Sequence, residues 1–252
     1  YYPEYFQGRA KKRNYFEGWY YKVVSEYSTF SVIPGISINH DDPHAFIQIN
    51  RGKSGGSSYH RFPIADFSYT TRRFSVSIGK NFFSLEGFDL DLENTRMSFK
   101  FSEVYRWPLN SISPGTMGPY SIIPFMECKH GIIILDARAR GSDGDTVIEQ
   151  ADFYLEKDYG RSFPQAWVWI QSNSFSKFAN SISLSIAKIP FLGKSFIGFI
   201  LGLLVDGKFF NLSSYTGSRI KTLDFNQKEI QVLIQSGPLS LDIKAKRCDG
   251  AS

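Results

Sequence analysis

The sequence is poor in the residues that mark several common classes of protein. Only two cysteines, Cys128 and Cys248, occur in 252 residues, and they stand far apart. No Cys-x-x-Cys pair and no His/Cys spacing suits zinc or a redox couple, and nothing supports a disulfide. Cys128 lies in the apolar stretch Phe125-Met126-Glu127-Cys128 and reads as a buried, reduced thiol. His40, His44 and His60 lack the spacing of a metal-binding helix or facial triad, so no metal is expected. There is no G-x-G-x-x-G, no P-loop and no G-x-S-x-G, which removes the sequence grounds for a nucleotide cofactor or serine-hydrolase chemistry. Helical periodicity is nearly missing; one short helix is expected around 176–180.

Long apolar runs are also scarce. The longest, Ile189 to Val205, holds 17 residues with Pro190, Lys194 and three glycines inside. A spanning helix wants about 20 apolar residues without an interior charge. The run reads instead as two strand ends around the turn Phe191-Leu192-Gly193-Lys194, with peripheral membrane contact at this hairpin as a secondary expectation. The opening Tyr1-Tyr2-Pro3-Glu4 has no charged start followed by an apolar run. A cytoplasmic, at most membrane-peripheral, location is expected.

What the chain has in excess is aromatic surface: 23 Phe, 14 Tyr and 4 Trp, 16% of all residues, against 3 Met. Hydrophobic residues reach 42% and charged residues 21%, the balance of a folded globular protein rather than a disordered or collagen-like one. So many rings must line a core, a ligand cavity or both. The net charge is +5. Its basic clusters (Arg9, Lys11, Lys12, Arg13 and Lys244, Lys246, Arg247) are not interleaved with aromatics and read as solvated surface, so no nucleic-acid partner is expected.

Period-2 alternation dominates. Phe74, Val76 and Ile78 alternate with serines; Met97, Phe99 and Phe101 alternate with Ser98, Lys100 and Ser102; Leu239, Leu241, Ile243 and Ala245 alternate with polar residues. Each run is a half-buried antiparallel strand. Further strands are expected at 44–50, 58–64, 81–86, 131–138, 147–155, 166–173, 181–189, 196–205, 208–215 and 229–235. Turn signals such as Ser142-Asp143-Gly144-Asp145 separate them. The predicted class is all-β: antiparallel barrels in two tandem halves, 1–156 and 157–252. Residues 105–127, with Pro108, Pro114, Pro119 and Pro124, form a crossover or lid.

Three segments can carry chemistry. In Tyr15-Phe16-Glu17-Gly18-Trp19-Tyr20-Tyr21-Lys22, a strand puts Glu17, Trp19 and Tyr21 on one face. A carboxyl among rings has its charged form disfavoured and can serve as an acid, unless a cation pairs with it. In Gly118 to Gly131, either Glu127 and His130 form an acid/base dyad at a cavity mouth, or Glu127 pairs with a Lys or Arg and fixes the crossover. In Tyr159 to Asn173, one strand face passes from Trp167 and Trp169 to Gln171 and Asn173. That suits a pocket with apolar depth and polar head, or a core tryptophan pair whose amides bond to backbone. Asp152, Glu156 and Asp158 lie just upstream, where Arg161 can clamp one of them.

Together these segments resemble the tocopherol cyclase family. The resemblance is carried by Tyr15 to Lys22, Gly118-Pro119-Tyr120, Pro124 to Cys128 with His130-Gly131, Gly160-Arg161-Ser162-Phe163-Pro164, and Trp167, Trp169, Gln171 and Asn173. The hairpin at Ile189 to Gly193, Asp206-Gly207-Lys208 and Thr216-Gly217 add to it. It implies lipocalin-like β-barrels and a cofactor-independent cyclase that protonates the prenyl double bond of a prenylated quinol or phenol and closes a chromanol ring. The ligand is then a small, apolar isoprenoid. On this reading the acid is Glu17 or Glu127, with Asp152 behind them, and His130 holds the phenol or relays a proton. Trp19, Tyr21, Trp167 and Trp169 face the cation, while Gln171, Asn173 and Arg161 orient or clamp. The rival expectations are a carrier that performs no chemistry, and a hydratase or isomerase acting on another prenyl substrate.

Overall fold

The computed structural model describes residues 2–11, 13–52, 56–109, 115–122, 126–191 and 194–246. Cys248, Lys12, Arg247, Pro114, Pro124, Phe125 and the Leu192-Gly193 centre of the hairpin turn lie outside these described residues.

Eleven strands build one antiparallel sheet: β1 (Tyr15–Val24), β2 (Thr29–Ile38), β3 (His44–Arg51), β4 (Ser57–Pro63), β5 (Phe67–Thr70), β6 (Ser75–Ile78), β7 (Asn81–Ser84), β8 (Gly87–Leu92), β9 (Thr95–Arg106), β10 (Cys128–Asp143) and β11 (Thr146–Gly160). The order across the sheet is β4-β3-β2-β1-β11-β10-β9-β8-β7-β6-β5. The two edge strands, β4 and β5, are consecutive in the chain and joined by the short 3-10 turn Ile64–Asp66. The sheet therefore has to curl until its edges approach, giving a nearly closed antiparallel barrel. Its interior is filled rather than hollow. Trp19, Tyr21, Phe30, Phe83, Phe88, Phe99 and Phe153 are fully buried there, and Phe101 stacks on Phe153 with centroids 3.6 Å apart.

The remaining strands make two smaller sheets. One contains β12 (Trp167–Ser172), β13 (Ser181–Phe191), β14 (Lys194–Val205) and β15 (Lys208–Asn211); the other contains β16 (Arg219–Phe225), β17 (Glu229–Ser236) and β18 (Leu239–Lys246). Leu184, Ile186, Phe199 and Leu201 of the first pack against Val232, Ile234 and Ile243 of the second. The apolar run at 189–205 forms the paired strands β13 and β14, closing at Phe191 opposite Lys194. Among the described residues no helix is long and apolar enough to cross a membrane.

Some local expectations are corrected. Strand β11 runs from Thr146 to Gly160, past the strand end expected at 155. Residues 176–180 are a bend, not a helix: Ala179 takes the left-handed conformation at φ 60° and gives its N–H to Asp136 at 3.0 Å. Strand β2 went unpredicted because it contains Pro34-Gly35. The proline is tolerated since the β1–β2 ladder skips from Gly18–Gly35 to Tyr21–Val32, leaving Pro34 opposite an unpaired stretch.

The β12–β14 face lies against the outer face of β1, β11 and β10. Alternation in β1 explains why: Glu17, Trp19, Tyr21 and Val23 turn inward and are buried in the barrel, so Phe16, Gly18, Tyr20 and Lys22 point out toward the second half. Lys22 Nζ donates to Gln171 Oε1 at 2.6 Å, and Tyr20 meets Trp169 edge-on at 5.5 Å. Asn173 Nδ2 donates to Asp136 Oδ1 at 3.2 Å and to the Phe153 carbonyl at 2.9 Å. Asp136 is fully buried and its carboxyl is pushed up to about 6, chiefly by desolvation. Replacing Asn173 by Ala removes a donor from this buried acid, so unfolding free energy should drop by about 1–3 kcal/mol. Chemical denaturation reads this directly; an unchanged midpoint would mean the contact does not hold the halves together.

Candidate active site

Strand β11 alternates as strongly as β1. Phe153, Leu155 and Lys157 enter the barrel, and Tyr154, Glu156 and Asp158 fall on the outer face. That outer face, with Tyr20 of β1 and Cys128 and His130 of β10, forms one wall of a cavity of about 240 Å³. Trp167 and Trp169 of β12 and Ile186, Ile189, Phe199 and Ile200 of the second half form the opposite wall. Met117, Tyr120, Met126 and Glu127 of the proline-rich crossover border it. Gly118 fixes this strap: it sits at φ 50°, and a Cβ there would lie 2.7 Å from the Tyr215 ring.

Of the three carboxyl groups that line this enclosure, those of Glu127, Glu156 and Asp158, that of Glu156 is the most buried, only 5% exposed. Tyr154 Oη donates to its Oε2 at 2.6 Å and the Trp169 indole N–H donates to the same oxygen at 3.2 Å. His130 Nε2 lies 3.7 Å from Oε2, at ion-pair but not hydrogen-bond distance, and has no hydrogen-bond partner among the described residues. His130 Nδ1 is 2.9 Å from Asp158 Oδ1. Two hydrogen-bond donors and one imidazole nitrogen thus converge on Oε2, while Oε1 carries no hydrogen bond among the described residues. A proton on Glu156 belongs on Oε1.

Desolvation pushes the Glu156 carboxyl up to about 7; His130 opposes that rise and Asp158 reinforces it. Burial works against the His130 imidazolium, but Asp158 and Glu156 outweigh it and raise the ring to about 9. Near neutral pH the cluster therefore holds an imidazolium beside Asp158 and a half-protonated Glu156. Tyr20 is pushed up to about 12 by burial, and Tyr154 rises well above the ordinary phenol range for the same reason, so both remain phenols. Burial also raises the thiol of Cys128, a free cysteine. Ligand atoms of His130, Glu156 and Asp158 lie within 4.8 Å of one another, close enough for one divalent cation.

The expected site residues divide into three groups. Glu127, His130, Trp167 and Trp169 line the cavity. Arg161 lines an adjoining recess instead. The remaining six lie elsewhere. Glu17 is fully buried inside the barrel, where Lys157 Nζ donates to it at 2.8 Å, Tyr15 Oη at 2.5 Å and the Gln7 N–H at 2.9 Å. The cation that the sequence left open is Lys157, itself 0% exposed. Trp19 and Tyr21 are packed in the same core, bonded to the carbonyls of Glu4 and Ser84. Asp152 is paired with Arg138 at 2.6 Å. Gln171 and Asn173 serve the contact between halves, because β12 leaves the cavity as it passes Trp169. Sequence reasoning missed Glu156 as the cavity acid, along with Tyr154 and Asp158. The available signal was their shared face on β11, beside a strand bearing two tryptophans.

The model of the tocopherol cyclase-like family matches residues 83–221, more than half of the chain. The chain belongs to the tocopherol cyclase-like family. The matched range contains His130, Glu156, Asp158, Trp167 and Trp169 but not Glu17. Among curated proteins, the chain is similar to the probable chloroplastic tocopherol cyclase of Oryza sativa subsp. japonica, at 29% identity over 138 residues, and to the chloroplastic tocopherol cyclase of Zea mays, at 30% over 138 residues. Each match covers 51% of this chain and 29% of the relative, so the chain spans under a third of the length of these relatives. Among solved structures, a Nitrosomonas europaea protein given the name AttH aligns with TM-score 0.49 and 10% identity, over 89% of this chain and 78% of its own.

For this member of the tocopherol cyclase-like family, the charge state of the cluster is directly measurable. Since His130 holds the Glu156 carboxyl down, His130→Ala should move its titration above about 7. Tryptophan fluorescence follows it, because Trp169 bonds the carboxyl. A transition that is present in the wild type, shifts upward in His130→Ala and vanishes in Glu156→Gln is expected; an identical curve in all three would detach Glu156 from this equilibrium.

Proposed function

We propose that this protein is a cofactor-independent cyclase that protonates the prenyl double bond of a prenylated quinol or phenol, with Glu156 as the acid. The observation that carries this reading is a carboxyl group, nearly fully buried, facing an aromatic-walled cavity, with its proton-bearing oxygen free of hydrogen bonds among the described residues. An alkene is a very weak base, so its proton donor must be desolvated, positioned and able to lose its proton cheaply. Burial supplies the first condition. The Tyr154 hydroxyl, the Trp169 N–H and the His130 imidazolium supply the last, because all three favour the carboxylate left behind.

The proton passes from Glu156 Oε1 to the alkene, leaving a tertiary cation. The rings of Trp167, Trp169 and Tyr20 can stabilise it through their faces, each by about 0.5–2 kcal/mol, without attacking it. The phenol oxygen then forms the new C–O bond. Its proton returns to the cluster, so that Glu156 is reprotonated and the reaction is a net isomerisation. His130 Nε2, lacking a hydrogen-bond partner among the described residues, is placed to hold the phenol oxygen. The cavity, at about 240 Å³, is smaller than the roughly 300–1,000 Å³ typical of ligand pockets. It suits the ring and the first prenyl unit, and the remaining chain leaves past the stacked, exposed Phe163 and Trp167. A mere carrier needs no buried acid aimed at its ligand, which favours the enzymatic reading over that rival.

Glu156→Gln keeps the shape and both side-chain donors but removes the acid. Turnover of a prenylated quinol to its chromanol, followed by mass spectrometry, should drop by about 100-fold or more, with ligand binding largely retained. The wild-type rate should decline as pH rises through about 7, since the protonated fraction of Glu156 is lost there. Chelation with EDTA should leave the rate unchanged. Full activity in Glu156→Gln, or abolition by EDTA, would refute the assignment of the carboxyl as proton donor.

A further inference from the structure

A second recess, of about 450 Å³, adjoins the cavity and shares Met126 as a wall with it. Its other lining residues are Lys11, Arg13, Asn14, Tyr15, Lys129, Tyr159, Gly160 and Arg161. Four cationic side chains therefore face one space, contributed by three separate parts of the chain. Among the described residues, none of the four makes an ion pair with a carboxylate. The nearby acids are engaged or directed elsewhere. Glu17 is bound to Lys157 inside the barrel, Asp158 to His130, and Glu127 lines the apolar cavity. Lys129 is half-buried, donates to the Ser121 carbonyl at 2.7 Å, and has its ammonium depressed by burial and by Lys11. Like charges held together without a counter-charge repel one another, and an anion relieves that repulsion. Two guanidiniums and two ammoniums suit a group with several anionic oxygens better than a single carboxylate. The shared Met126 wall places such a group at the edge of an apolar volume.

We propose that the recess formed by Lys11, Arg13, Lys129 and Arg161 is a phosphate-binding site that takes the head group of a phosphate-bearing amphiphile, whose apolar part reaches past Met126 into the cavity. The neutral quinol of the cyclase reading does not use this recess, so the site stands or falls independently of that reading. The head group has two sources, a free prenyl phosphate or an anionic lipid.

Calorimetric titration with farnesyl diphosphate and with farnesol, at low salt, isolates the contribution of the phosphate. Wild-type protein should bind the diphosphate at least about tenfold more tightly than the alcohol. The double variant Lys129→Ala/Arg161→Ala should lose that difference while still binding farnesol. A second variant, Lys11→Ala/Arg161→Ala, changes only exposed side chains and guards against disturbance of the crossover through Lys129, with thermal midpoints confirming the fold of both. Sedimentation with phosphatidylglycerol vesicles, against phosphatidylcholine vesicles, separates the sources. Variant-sensitive binding to the former assigns the site to a lipid head group, and binding of soluble diphosphate alone assigns it to a free phosphate. Equal affinity for diphosphate and alcohol without vesicle binding, or diphosphate and vesicle binding that both variants retain in full, would overturn the proposal.

Discussion

A single carboxyl group in an apolar wall organises the candidate site. Glu156 is removed from water, which disfavours its ionised form, yet two hydrogen-bond donors and a nearby imidazole converge on one of its oxygens and favour that form. These opposed terms leave the group near its midpoint at neutral pH, where a carboxyl group can act as acid or base. The arrangement depends on the contact between halves. Tyr154 and Glu156 come from the large barrel, and Trp169 comes from the first strand of the second half. Neither half alone assembles the donor set.

The barrel plays the complementary role of rigid support. Its interior is filled by aromatic side chains and carries a buried acidic residue, Glu17, paired with Lys157. Adjacent residues of β11 thus serve opposite ends: Lys157 closes a salt bridge inside the barrel, and Glu156 faces the cavity outside it. A buried pair of this kind is weak evidence for stability but costs several kcal/mol to break one-sidedly. Its proximity to Glu156 through a shared strand fixes the register that sets the acid opposite Tyr20 and Ile132.

Much of the fold was legible in the sequence. The alternation in 97–102 and 239–246, and the Asp143-Gly144 turn, specify strands and a hairpin through local physics alone. Strand β2 was hidden because Pro34-Gly35 imitates a turn, and only its partner strands reveal where the proline is tolerated. Alternation also grouped Glu17 with Trp19 and Tyr21 correctly, but period 2 does not say which face is a packed interior and which lines a cavity. Lys157, the partner of Glu17, is 140 residues away in sequence. Glu156 sat unrecognised in Tyr154-Leu155-Glu156-Lys157-Asp158, whose alternating charges imitate a solvated strand end. His130, Trp167 and Trp169, which line the cavity, were singled out because their segments carry the family resemblance.

The most direct test of this account is infrared difference spectroscopy of the wild type against Glu156→Gln across pH. A protonated carboxylic acid absorbs apart from carboxylates and amides, so the band lost in the variant belongs to Glu156. The account predicts a band that persists well above the ordinary carboxylic range and disappears with a midpoint of about 7. A Glu156 already fully ionised at pH 5 to 6 would contradict it.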